Sequence, residues 1–132
     1  MASTCIGLVS LYQNVIFILK NTIKLPAKFA VITACNPKGQ ILSATENQIL
    51  NDNLKSRLAP YHVWPIIGCS PDLHHQEPSY IVVCSKQQAS QLALDYDQNA
   101  LYWCDNGELF LLPAQLEFEP VAMGLFQDYL GD

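Results

Sequence analysis

The chain has 132 residues, half of them hydrophobic and 14% charged, with a formal net charge of −5 at pH 7. That length suits one domain, residues 1–132, able to bury a core without staples, and the composition excludes intrinsic disorder. The acidic balance argues against a generic nucleic-acid binder, which needs a basic face to neutralise phosphates.

The charge is uneven along the chain. Residues 1–60 hold Lys20, Lys24, Lys28, Lys38, Lys55 and Arg57 against Glu46 and Asp52, or +4, while residues 61–132 hold only Lys86 against ten acids, or −9. Such asymmetry either marks a positive patch for an anionic partner or cancels once the halves interleave in space.

The N-terminal stretch "MASTCIGLVSLYQNVIFILK" is apolar but lacks the basic flank and cleavage site of a secretory signal. Ser10, Gln13 and Asn14 interrupt it, which speaks against a membrane span, so the expectation is a buried strand around Leu11–Leu19. "KFAVITAC" is β-branched and apolar and stops at Asn36-Pro37, as a central strand does. "NPKGQ" carries turn chemistry.

Ser43-Ala44-Thr45-Glu46 matches a capping box, in which the Ser43 hydroxyl accepts from the Glu46 N–H and the Glu46 carboxylate accepts from the Ser43 N–H. Leu50, Leu54 and Leu58 then form the buried stripe of a helix that Pro60 ends. Asn47 extends the same stripe by one turn. A carboxamide there points inward and has to find partners.

"YHVWPIIGC" reads as a strand that tolerates an edge, because Pro65 cannot donate to a ladder. "SPDLHHQEP" is a loop and "SYIVVC" a buried strand. Ser85 and Gln88 make a second capping box before a helix with Ala89, Leu92, Ala93 and Tyr96 on one face, broken at Asp97-Gln98-Asn99. "ALYWC" and "ELFLLP" are strands joined through Asp105-Asn106-Gly107, a hairpin signal, and Val121–Tyr129 reads as a short C-terminal helix. The order ββαββαββ predicts an α+β two-layer sandwich, with about six mostly antiparallel strands and both main helices on one face.

Five cysteines, odd in number and without a C-x-x-C pair, exclude a disulfide framework and a zinc site and fit a reducing cytoplasm. Cys35 is the one positional candidate for a nucleophile, but no histidine can be placed beside it. His74 and His75 neighbour each other without a spaced set of further ligands, so no metal is expected. No P-loop, G-x-G-x-x-G, G-x-S-x-G or H-E-x-x-H occurs, and no cofactor is called for.

"FAVITACNPKGQILSATEN", "EPSYIVV" and "ALDYDQNALYW" resemble a bacterial family known as DUF3293, a domain of unknown function, over about residues 29–112. The resemblance implies a small cytoplasmic domain with no activity to transfer. It also implies recurrent polar positions, here Thr33, Asn36, Pro37, Asn47, Glu77, Ser79 and Gln98. The chain departs from that pattern in having Cys35 where an aromatic residue is often found. It also has Gln48 and Asn51 where the family has an arginine after the Glu46-Asn47 pair.

Two functional readings follow, and neither names a reaction. In the first, a small anionic or polar ligand binds a cleft at the N-terminus of the first helix, built from Asn36, Asn47, Glu77, Ser79 and Gln98 with Lys38 adding charge. Glu77, beside apolar strands, would then carry a raised pKa. In the second, the same residues only brace turns, and the chain is a regulatory or protein–protein interaction module. The first predicts that these side chains converge; the second predicts an exposed apolar patch.

Overall fold

A computed structural model describes residues 9–131. Residues 9–13 are helical, and the first strand, β1, is confined to Ile16–Leu19. The expected Leu11–Leu19 strand is therefore half its predicted length, since Ser10, Gln13 and Asn14 leave nothing apolar and alternating to pair before Val15. Asn14 closes that helical turn instead, its side chain donating to the Ser10 carbonyl.

The remaining elements are β2 (Lys28–Ile32), α1 (Ala44–Arg57), β3 (Val63–Cys69), β4 (Gln76–Val82), α2 (Lys86–Asp95), β5 (Ala100–Asp105), β6 (Glu108–Pro113) and β7 (Val121–Leu125). Single 3₁₀ turns occur at Pro37–Gly39 and Phe126–Tyr129. Both capping boxes form, Ser43 with Glu46 and Ser85 with Gln88, each satisfying two otherwise unpaired N–H groups.

The protein is an α+β fold built on a curled antiparallel sheet of seven strands in the order β1-β3-β4-β2-β5-β6-β7. β2, the predicted central strand, lies in the middle. β3 lies inside the sheet, but β1 pairs with it only from Ile66 to Cys69, so Pro65 sits just past the end of that pairing. Asn106 and Gly107, both at positive φ (50° and 88°), make the two-residue β5–β6 turn.

The C-terminal helix expected over Val121–Tyr129 is instead the seventh strand followed by one 3₁₀ turn. Gly124 explains the difference: a glycine disfavours a helix interior, and its φ of +93° lies beside the register shift at Leu109/Phe110, where β7 bulges against β6.

Side chains alternate between two cores. Ala30, Ile32, Val82, Leu101 and Trp103 face α1 and α2, where Leu54, Leu58, Ala89, Leu92 and Ala93 meet them, so both helices cover one face. The other face carries Phe17, Phe29, Val31, Ile66, Ile81, Cys104, Leu109 and Phe126. Phe17 of β1 stacks on Phe126, just beyond β7, at 5.3 Å between ring centroids. The two ends of the sheet order therefore meet on this concave side. The Gly131 N–H donates to the Phe17 carbonyl at 2.8 Å and completes the approach.

Candidate functional site

The polar positions converge where β2 ends. The β2–β4 pairing runs from Ala30↔Val82 to Ile32↔Tyr80. Continued, it would set Ala34 opposite Pro78, which has no N–H to give. The Asn51 carboxamide stands in that gap: Oδ1 accepts from the Ala34 N–H at 2.9 Å, and Nδ2 donates to the Pro78 carbonyl at 2.7 Å. One side chain thus bridges the Ala34 N–H and the Pro78 carbonyl across a pair in which proline has no N–H to return. The Thr33 hydroxyl donates to the same carbonyl at 2.8 Å.

One helical turn earlier, Asn47 Oδ1 accepts from the Asn36 N–H at 2.8 Å. The match is geometric, because four residues of helix rise about 6 Å and two residues of strand about 6.7 Å. Two amides at i and i+4 on α1 therefore serve alternate N–H groups of the extended chain. Asn36 sits in the left-handed region (φ 50°, ψ 58°), which asparagine tolerates better than most residues. Its Oδ1 accepts from Asn47 Nδ2 and from the Leu42 N–H, both at 2.9 Å.

Gln98 reaches the same strand end from beyond α2, donating from Nε2 to the Cys35 carbonyl at 3.1 Å and the Tyr96 carbonyl at 3.2 Å. The Lys38 N–H donates to the Asp97 carbonyl at 2.7 Å, tying the two loops together. Gly39, at φ +74°, passes so close to Asn99 that an added Cβ would lie 3.1 Å from Nδ2. The Lys38 side chain is exposed and takes no part in these bonds.

Glu77, Ser79 and Ile81 alternate onto the concave face. Ser79 is buried and its hydroxyl donates to the Glu77 carbonyl at 3.0 Å. Burial pushes the Glu77 carboxyl above the usual carboxylate range, opposed by a hydrogen bond from the Asn36 side chain and by the charge of His75. Asn36 thus links the two sides of the sheet, receiving Asn47 on the helix side and reaching Glu77 on the concave side.

Around the carboxyl are groups that the sequence reading did not single out. The Tyr102 hydroxyl donates to the Tyr12 carbonyl at 2.6 Å, and the Asn99 side chain hydrogen-bonds Tyr12. Burial raises the pKa of both phenols, and the charge of Glu77 adds to the rise. Cys35, 2% exposed, has its thiol pushed up chiefly by burial, which leaves it protonated and a poor nucleophile. Among the described residues no group of three or more His, Cys, Asp and Glu is gathered for a metal ion.

Asn51 was legible as the i+4 companion of Asn47. Tyr12 and Tyr102 carry no comparable local signal, because they meet Glu77 only through the curl of the sheet. A separate open groove of about 430 Å³ lies between α2, from Lys86 to Leu94, and the end of β6 at Leu112 and Pro113.

These features define a class: a curled antiparallel α+β domain with a hydrogen-bonded polar cluster at the end of its central strand. The chain belongs to the family described as "Protein of unknown function (DUF3293)", whose model matches residues 32–101. That stretch holds every amide of the brace and Glu77; Tyr12 and Tyr102 fall outside it. No curated protein and no solved structure matches the chain.

Proposed function

We propose that the protein is a binding domain for a small polar molecule, taken up at the concave end of the sheet where Glu77 meets Asn36. The observation that carries this reading is a half-buried carboxyl, raised in pKa by desolvation, at the one point reached by β2, β4, the start of α1 and the loop after α2. Asn36 and Glu77 are the contacting groups, and Asn47, Ser79 and Gln98 position them. Glu77 beside Asn36 disfavours an anion, which narrows the ligand to a neutral or cationic polar one. With Cys35, Cys69, Cys84 and Cys104 all unpaired, a reducing compartment such as the cytoplasm suits the chain.

The test is a ¹⁵N-correlated NMR titration with neutral amides, amines, carboxylates and nucleosides at millimolar concentration. The expected response is a shift of the Asn36 side-chain amide together with the backbone of Glu77 and Gln98. Absence of any shift there across all four classes would refute the proposal.

A second reading, an interaction module, draws support from two facts. The carboxamides of Asn36, Asn47, Asn51 and Gln98 already have partners within the chain, and Ile41 and Ile49 are 84% and 64% exposed.

A further inference from the structure

We infer that Asn106 is a site of spontaneous deamidation, and that the isoaspartate formed there loosens the closure of the curled sheet. The reaction needs a backbone nitrogen free to reach the side chain of the asparagine before it. Asn106 is the only asparagine followed by glycine, which leaves its own nitrogen unhindered. Both residues are exposed at the tip of the β5–β6 hairpin. A Cβ built on Gly107 would meet no atom within 4 Å, so nothing packs over the turn and it has room to flex as the ring closes. Among the described residues, the Gly107 N–H is held only by the Cys104 sulfur, a weak acceptor. The Asn106 carboxamide is held only by the neighbouring Asp105 carboxylate, to which Nδ2 donates at 2.8 Å.

The Gly107 nitrogen loses its proton to solvent base and bonds to Asn106 Cγ, whose own nitrogen leaves as ammonia. Water then opens the five-membered imide. Opening at Cγ gives aspartate at position 106. Opening at the main-chain carbonyl gives isoaspartate, in which the chain runs through the side chain and is one methylene longer. That extra length falls where both turn residues are tied to distant segments. The Asn106 N–H donates to the Ala27 carbonyl at 2.6 Å, and the Gly107 carbonyl accepts from the Phe126 N–H at 2.8 Å. Moving Gly107 away from Asn106 pulls on both tethers. Phe126 is 1% exposed, stacks on Phe17 and meets Phe29 edge-on, so its release is felt in the concave core and at the bond between Gly131 and Phe17. Either product also replaces the hydrogen bond between Asn106 and Asp105 with two like charges.

The experiment incubates the folded chain in warm, mildly alkaline buffer beside a matched sample in urea, and follows both by peptide mapping and an isoaspartate assay. The expected result is conversion at Asn106 in the folded protein while Asn21, equally exposed but followed by threonine, stays an amide. Hydrogen exchange on the converted fraction is expected to show lost protection of the Phe126 and Gly131 amides. Asn106→Asp supplies the charge without the longer backbone and is expected to lose less protection than the isoaspartate form. If Asn106 converts in urea but not in the folded protein, the turn shields the residue and the inference is overturned. If the folded protein converts while Phe126 and Gly131 keep their protection, the link to sheet closure is overturned.

Discussion

Replacing Asn51 tests the brace most directly. The side chain is 4% exposed and bridges Ala34 and Pro78. Asn51→Ala leaves the Ala34 N–H, in a residue 1% exposed, without an acceptor, while the Pro78 carbonyl keeps the Thr33 hydroxyl. An unpaired buried donor costs about 1–3 kcal/mol, and the small void adds to it, so a loss of roughly 2–4 kcal/mol is expected. That is a large share of a domain stability of about 5–15 kcal/mol. Asn51→Asp is the sharper variant. Its carboxylate can accept from Ala34 but has nothing to donate to Pro78, so at pH 7 a buried charge faces a carbonyl, and the loss exceeds that of alanine. A carboxyl so placed has a raised pKa and gains a donor O–H on protonation, so its deficit relative to alanine shrinks between pH 7 and pH 5. Urea unfolding followed by Trp64 and Trp103 fluorescence measures both. A loss under about 0.5 kcal/mol for alanine, or an aspartate variant equal to alanine at both pH values, would refute the account.

Asn47→Ala removes a half-buried partner of Asn36 and is expected to cost about 1 kcal/mol, less than Asn51→Ala, because water can reach the freed N–H; calorimetry on the pair checks the order. It is also expected to weaken ligand binding, since Asn36 loses the bond that holds it toward Glu77. Glu77→Gln is expected to flatten the pH profile of stability. Where the folded carboxyl has a raised pKa, the folded state binds more protons than the unfolded one, so wild-type stability falls as pH rises from the ordinary glutamate value through the folded one. Tyr12, Tyr102 and Cys35 titrate above that window and His75 is common to both proteins, so parallel melting profiles for wild type and E77Q would contradict the assignment. Phe126→Ala, which removes the ring bridging Phe17 and Phe29, is expected to cost about 3–5 kcal/mol in denaturant unfolding and to release protection of the Gly131 amide from hydrogen exchange.

Much of the fold was readable because its signals are local. Ser43/Glu46 and Ser85/Gln88 announce their helices within four residues and Asn106-Gly107 announces the hairpin, whereas β2 stops at Ile32, short of the expected Cys35, because its pairing with β4 ends before Pro78. The C-terminus was misread because one glycine decides between a helical turn and a bulged strand, and the choice depends on β6 being alongside. The N-terminus was misread because Leu11 and Tyr12 look strand-like until their neighbours are weighed. The inward carboxamide at Asn47 was visible from its spacing to Leu50. That it accepts from the Asn36 backbone N–H was not, because the bond depends on the left-handed φ of Asn36 and on the end of the β2–β4 pairing at Pro78, 42 residues away.

Pro78 ties the brace to the proposed site. Its carbonyl faces β2, and in an antiparallel strand the nitrogen of the same residue faces the same way, so proline ends the β2–β4 ladder on that side while pairing with β3 continues from Val63↔Val82 to Cys69↔Gln76. Residues 33–36 lie beyond the β2–β4 pairing, and two carboxamides of α1 accept from the N–H groups of Ala34 and Asn36. That carries Asn36 past the end of the sheet, where its side chain can touch the helix on one side and Glu77 on the other. With an ordinary residue at 78 the ladder could run three residues further, setting Cys35 opposite Glu77 as a paired strand residue, and Asn51 would have no gap to fill. The Asn51 bridge and the adjoining Asn47–Asn36 bond therefore stand where one missing N–H ends the β2–β4 pairing.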